Sequence, residues 1–261
     1  MRAPIYQLDA FATRRFTGNP AAVVVLEQFL DDVVLQAIAA ENNLSETAFV
    51  VPGDGGYRLR WFTPAVEVPL CGHATLAASA VVLERLESGR SSVIFDTASG
   101  PLTVTREAAG YRMDLPVRTV RAVEPQPAVA AALGVTPLET AVDGGNYLAL
   151  LPDAATVRAL TPDLAAIARL DRTGVVVTAA GDGPYDFVSR YFAPAKGVPE
   201  DPVTGGAHCG LTPFWAARTG KDTFLAYQAS QRGGELTCRL AGDRVQLLGS
   251  CVFYLEGSIE I

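Results

Sequence analysis

Proton chemistry needs acids, imidazoles or thiols, and this chain offers few in promising places. It has two histidines, His73 and His208, and four cysteines, Cys71, Cys209, Cys238 and Cys251. Cys71 and His73 are separated by one residue, and His208 and Cys209 are neighbours. Together they read at first as a zinc site. Adjacent residues on a helix point to different sides, however, so a tetrahedral shell built from His208 and Cys209 is awkward. No metal is expected. The cysteines form no CxxC pair, and in a reducing compartment they are free thiols. Glu46 is a different kind of candidate. It ends the irregular link Asn42-Asn43-Leu44-Ser45-Glu46 and precedes the strand Thr47-Ala48-Phe49-Val50-Val51. A single carboxylate in apolar surroundings favours its protonated form, so it can take a proton as base and return it as acid. No Ser–His–Asp spacing, P-loop or dinucleotide fingerprint is present, and Gly53-Asp54-Gly55-Gly56 is a poor phosphate loop.

The elements that must position these residues occur twice. Arg60-Trp61-Phe62-Thr63-Pro64-Ala65-Val66-Glu67-Val68-Pro69-Leu70-Cys71 recurs half a chain later as Arg190-Tyr191-Phe192-Ala193-Pro194-Ala195-Lys196-Gly197-Val198-Pro199-Glu200-Asp201. Arg, an aromatic, Phe, Pro, Ala, Val and Pro keep register, and Asp201 stands where the first copy has Cys71. Gly18-Asn19 is matched by Gly145-Asn146, and Leu35-Gln36-Ala37-Ile38-Ala39 by Leu164-Ala165-Ala166-Ile167-Ala168. Glu46 has no acidic twin near Val175. A racemase with one thiol from each half would need Cys71 to face a cysteine, and register gives it Asp201, with Cys209 eight residues further on.

In each copy the signature runs strand, Pro-rich turn, helix. The helices begin at Gly72-His73-Ala74-Thr75 and Thr204-Gly205-Gly206-Ala207. A helix start offers unpaired N–H donors and partial positive charge, and glycines let a ligand approach the backbone. Two such starts facing one cleft would hold a carboxylate without any Arg or Lys. The first helix, 74–86, is apolar on nearly all sides and should be buried. In the second, running from Gly205 to Thr219, Pro213 is expected to kink or restart the helix. His208 is read as a core residue. Strands are expected at 3–9, 20–26, 47–51, 57–62, 92–96, 102–106 and 111–115, with a helix from Asp31-Asp32 to about Glu41. The prolines at 116, 125 and 127 mark a seam. The organisation is α+β in two halves, 1–115 and 116–251, with a C-terminal strand near 252–261 returning to the first. In each, a strongly bent sheet wraps a central apolar helix.

Composition agrees with a small-molecule protein. The chain has 261 residues, 49% hydrophobic and 19% charged, with formal net charge −7. That supports a real core and excludes disorder. Basic residues are scattered, which argues against nucleic acid. No apolar run is long enough to span a membrane, and the start lacks the apolar core of a signal peptide, so a cytoplasmic protein is expected.

Several stretches together resemble the PhzF-like phenazine-biosynthesis isomerase family. They are Tyr6-Gln7-Leu8-Asp9-Ala10-Phe11, Gly18-Asn19-Pro20-Ala21-Ala22-Val23-Val24, Asn43-Leu44-Ser45-Glu46-Thr47-Ala48-Phe49, Cys71-Gly72-His73-Ala74-Thr75-Leu76, Glu200-Asp201-Pro202-Val203-Thr204-Gly205 and Gln228-Ala229-Ser230-Gln231-Arg232-Gly233-Gly234. The resemblance implies the diaminopimelate epimerase-like fold, a homodimer, and cofactor-independent proton transfer on a small carboxylate-bearing substrate. In the phenazine enzyme that substrate is trans-2,3-dihydro-3-hydroxyanthranilate. It implies Glu46, His73 and Asp201 as catalytic residues, and Asn19, Cys71, Gly72, Ala74, Thr204, Gly205 and Gly206 against the substrate. The family often has Ser where this chain has Gly206, so a hydroxyl that touches substrate is missing. A non-catalytic binder on the same fold and a cysteine-dependent racemase are the competing expectations.

Overall fold

The computed structural model describes all residues 1–261. In chain order the elements are β1 (Arg2–Ala10), β2 (Asn19–Val25), α1 (Asp32–Asn42), β3 (Glu46–Gly53), β4 (Gly56–Phe62), β5 (Glu67–Val68), α2 (Gly72–Val81), β6 (Ser92–Asp96), β7 (Leu102–Glu107) and β8 (Gly110–Pro116). There follow β9 (Arg121–Val123), α3 (Pro127–Leu133), β10 (Glu139–Val142), β11 (Asn146–Leu150), α4 (Ala154–Ala159), α5 (Leu164–Ala168), β12 (Gly174–Ala180), β13 (Phe187–Ala193), β14 (Val198–Asp201), α6 (Gly205–Thr219), β15 (Thr223–Gln228), β16 (Gly234–Ala241), β17 (Arg244–Gly249) and β18 (Cys251–Glu260). The chain divides into two compact units, Met1–Asp114 with Leu247–Ile261, and Leu115–Gln246.

In the first unit β1 lies antiparallel to both β18 and β2, β2 is parallel to β3, and β3 is antiparallel to β4. β4 then carries β5 as an antiparallel spur and β6 as a parallel neighbour, and β6 pairs antiparallel with β7. The second unit repeats this order of directions from β10 to β16. The duplicated sequence is therefore a duplicated pairing scheme, in an α+β fold of two pseudo-symmetric halves.

Successive residues of β2 and β3 are buried on alternate faces. Ala22, Val24, Phe49 and Val51 pack in one cluster with Leu35 and Ala39 of α1. The alternate residues Ala21, Val23, Ala48 and Val50 are also buried, on the opposite face. That face meets α2, in which every residue from His73 to Val81 is buried. An all-apolar helix is stable in water only when surrounded in this way. The second unit repeats the arrangement, with α3, α4 and α5 over one face and α6 against the other.

Two helix expectations need correction. The first apolar helix starts at Gly72, and its last turn, Val82–Leu86, is a π-turn. The second is not broken at Pro213: α6 runs from Gly205 to Thr219 with the proline inside it. Pro213 has no N–H to give the carbonyl four residues back, that of Cys209. The backbone N–H of Arg118 donates to it instead, at 3.0 Å. A buried carbonyl left without a donor would cost about 1–3 kcal/mol, so this bond offsets the defect. No helix is long and apolar enough to cross a membrane.

Candidate functional site

In the first unit the strand alternation selects what reaches the start of α2. Glu46 shares its face of β3 with Ala48 and Val50, and Asn19 shares its face of β2 with Ala21 and Val23. β2 and β3 run parallel with Ala21 opposite Glu46. Both polar side chains thus point to the α2 side. Glu46 is the first residue of β3, not part of the preceding link. Asn19 is placed by Gly18, whose φ of +68° and a would-be Cβ only 2.2 Å from the Ala10 carbonyl oxygen exclude other residues there.

The two side chains converge on His73. Its Nε2 lies 3.1 Å from Glu46 Oε2, and the two side chains are 5% and 17% exposed. Its Nδ1 lies 3.1 Å from Asn19 Nδ2 and 3.5 Å from Cys71 Sγ. The Asn19 amide donates to Nδ1, which leaves the ring hydrogen to Nε2; Nε2 and Glu46 Oε2 are close, but neither atom has a hydrogen-bond partner. Burial opposes a charge on His73, but contact with Cys71 and the Glu46 carboxylate outweighs it and holds the pKa well above the usual value. Cys71 is pushed the other way from reactivity: burial, then the Glu46 charge, raise its pKa and keep it a thiol.

Glu46, Cys71 and His73 bring one possible metal-ligand atom each within 4.8 Å of one another. The geometry is that of a relay, not of a shell. Cys71 addresses Nδ1 and Glu46 addresses Nε2, and the lone pairs of these two nitrogens diverge, so one ion cannot bind the ring between both partners.

The start of α2 has no side-chain cap. Cys71 occupies the N-cap position without a side-chain bond to the helix, and its carbonyl accepts the Thr75 N–H. The first amides, of Gly72, His73 and Ala74, have no partner within the helix.

In the second unit Asp201, Thr204, Gly205 and Gly206 come together at the start of α6. Thr204 is the N-cap, yet its hydroxyl does not cap; it donates to Asp201 Oδ2. Gly206 explains a residue that the sequence did not bring forward. A Cβ on Gly206 would lie 3.2 Å from Nη2 of Arg118, so the guanidinium occupies ground beside the first turn that a side chain would contest. Arg118 is held there by its own N–H on the Cys209 carbonyl. The expectation that this helix start works without Arg or Lys is therefore corrected. Pro213 was the available signal, because it announces a carbonyl in need of a donor, but it does not say which residue supplies one.

Asp143 was also missed. Its carboxylate accepts from the Asn146 backbone N–H at 2.9 Å and side chain at 3.1 Å, and lies 3.8 Å from Arg118 Nη1. Burial raises its pKa. Tyr191 donates to Asn146 Oδ1 at 3.0 Å, and its phenol is pushed up to about 12 by burial, then by Asp201 and Asp143. The Gly-Asn repeat pointed to this corner, since Asn146 is the counterpart of Asn19.

His208 is fully buried with Nδ1 2.8 Å from the Thr204 carbonyl, stacked on Phe187. Burial lowers its pKa to about 4, so it is a neutral core residue. Cys209 turns its sulfur to the Gly205 carbonyl at 3.5 Å, and burial pushes its thiol up to about 12.

With this geometry in place, comparison with known proteins is direct. A family model described as phenazine biosynthesis-like protein, PhzC-PhzF, matches residues 8–257. The chain belongs to the PhzF family. It is 47% identical over 261 residues to an uncharacterized isomerase of Pseudomonas aeruginosa, covering 100% of both chains. A PhzF-family protein of Enterococcus faecalis superimposes with a TM-score of 0.97 at 44% identity, covering 100% of each chain. A probable proline racemase of Agrobacterium radiobacter shares the fold at a TM-score of 0.65 and 13% identity, over 99% of this chain and 92% of that one. The PhzF fold of this chain is thus also the fold of racemase-type proteins.

Proposed function

We propose that the protein is an isomerase that moves a proton between carbons of a small carboxylate-bearing substrate, with Glu46 as the base and then the acid. The observation that carries this reading is the buried Glu46–His73 contact at 3.1 Å, built by strand parity and braced by Asn19 on the far ring nitrogen. Glu46 takes a proton from a substrate C–H. The electron pair left behind enters the conjugated system next to the carboxylate. The same carboxyl then delivers the proton to another carbon, so bonds and charge balance without a cofactor. His73, with Nε2 against Glu46 Oε2, orients the carboxylate and steadies its charge before the first transfer and after the second. Gly72 and Ala74 contribute amides of the uncapped α2 start. In the second unit Asp201 stands at the start of α6, where the Gly205 and Gly206 amides and the Arg118 guanidinium favour an anion.

Family membership and a close relative named as an isomerase support this class of reaction. A racemase using two thiols is the weaker reading: Cys71 and Cys209 are both held as thiols by burial, and Cys209 is turned to a backbone carbonyl. The test is hydrogen exchange. A dihydro-hydroxyanthranilate incubated in deuterium oxide should gain deuterium with the wild-type protein and not with Glu46→Gln. Exchange retained in full by that variant sinks the mechanism, and binding of the compound with no exchange in the wild type makes the protein a binder.

A further inference from the structure

The stretch Gln228-Ala229-Ser230-Gln231-Arg232-Gly233-Gly234 belongs to the family's signature, yet none of the chemistry above uses it. The structure gives its first residue a specific task. Gln228 ends β15 and is completely buried. Its Oε1 accepts the Thr204 backbone N–H at 2.8 Å. Its Nε2 donates to the Asp201 carbonyl at 2.7 Å and to the Thr204 hydroxyl at 3.1 Å. The amide can be placed only one way round, because an N–H faces one end and a carbonyl the other. Two residues on, Ser230 donates its hydroxyl to the Pro202 carbonyl at 2.8 Å and accepts the Gly233 N–H at 3.1 Å. The turn from Asp201 to Thr204 is thus gripped at both ends by one strand and the loop after it.

Thr204 is where this grip matters. A threonine at an N-cap ordinarily turns its hydroxyl to accept an N–H two or three residues into the helix. Here the hydroxyl accepts from Gln228 and donates to Asp201 Oδ2, and it makes no bond to α6. We infer that Gln228 is a positioning residue that draws the Thr204 hydroxyl away from its own helix, so that the first amides of α6 stay open and the Asp201 carboxylate stays oriented. The inference rests on the proposed use of that helix start for a carboxylate, but its structural half can be tested without a ligand.

The experiment compares wild type, Gln228→Leu and Gln228→Glu by NMR. Glutamate keeps the acceptor for the Thr204 N–H but cannot donate to the hydroxyl, so it serves if the leucine variant does not fold. Thr204 side-chain couplings in the free proteins report its rotamer. Titration with benzoate, a plain carboxylate probe, reports on the Gly205 and Gly206 amides. In the variants the threonine should turn to cap α6, and benzoate affinity should fall about fivefold, the cost of competing with an N-cap bond. Adding Thr204→Val to either variant should restore affinity, because no hydroxyl is left to cap. A merely structural glutamine would lower thermal stability and show no such rescue. An unchanged Thr204 rotamer overturns the inference, and so does an affinity loss that Thr204→Val leaves in place. If the threonine turns but benzoate moves neither amide even in the wild type, the positioning role stands and the carboxylate reading falls.

Discussion

Replacing Glu46 with Gln removes a negative charge 3.1 Å from His73 Nε2 while keeping the shape of the side chain. At an effective dielectric of about 20, two unit charges at that distance interact by about 5 kcal/mol. This is a ceiling, since the Glu46 side chain is 17% exposed and water reaches it. A clear fall in the His73 pKa is the expected result, because the Glu46 charge is among the causes that hold it up. The chain simplifies the assay, because it has two histidines and His208 stays neutral down to about pH 4. Imidazole nitrogen shifts followed against pH should show one ring titrating well above the usual histidine range and one near the acid end. Only the first should move in Glu46→Gln. The sign extends to stability. A His whose pKa is raised on folding stabilises the protein below its unfolded pKa of about 6.5, and that stabilisation is lost as pH rises through the folded value. Wild type should therefore weaken on the alkaline side of neutrality more steeply than the variant. If His73 titrates at or below the usual value in wild type, or if the variant leaves its titration unchanged, the coupling does not exist and Glu46 loses its partner.

His208 should produce the opposite slope. Its pKa is 6.5 unperturbed and about 4 in the fold, so the unfolded chain binds the proton first and stability falls as pH drops from 6.5 to 4, by about 3 kcal/mol. Urea unfolding at both ends of that window should show the loss in wild type, and a smaller one in His208→Asn. Arg118→Ala should weaken carboxylate binding about tenfold, as expected for a charged hydrogen bond, with Arg118→Lys intermediate. Gly206→Ser, whose Cβ would meet the Arg118 guanidinium at 3.2 Å, should act in the same direction by displacing it; benzoate titration of both variants decides. Cys209→Ser should leave catalysed exchange within about twofold of wild type, while a two-thiol mechanism requires its loss.

Some of this molecule can be read along the chain and some cannot. The repeat, the apolar helices and the period-two strands follow from local chemistry: each element must bury its own apolar face. Glu46 could be singled out as a lone acid with no twin in the repeat, but the sequence places it on the link, and only the fold makes it the first residue of β3. Pro213 shows where local rules stop. By itself it predicts a break, and α6 continues because a donor from Arg118, far away in sequence, meets the carbonyl that proline leaves unpaired. Gln228 was visible in the sequence as part of a motif, but its grip on Thr204 and Asp201 was not. Side-chain periodicity is written in the order of residues, whereas the partners of buried polar atoms are chosen only when distant strands and turns are brought within hydrogen-bonding distance. The sequence by itself determined the two halves, their central helices and the lone acid, Glu46, that has no twin. The tertiary structure alone decided which cation stands beside Gly206, which way the Thr204 hydroxyl turns, and that His73 faces Glu46 through one nitrogen and Asn19 through the other.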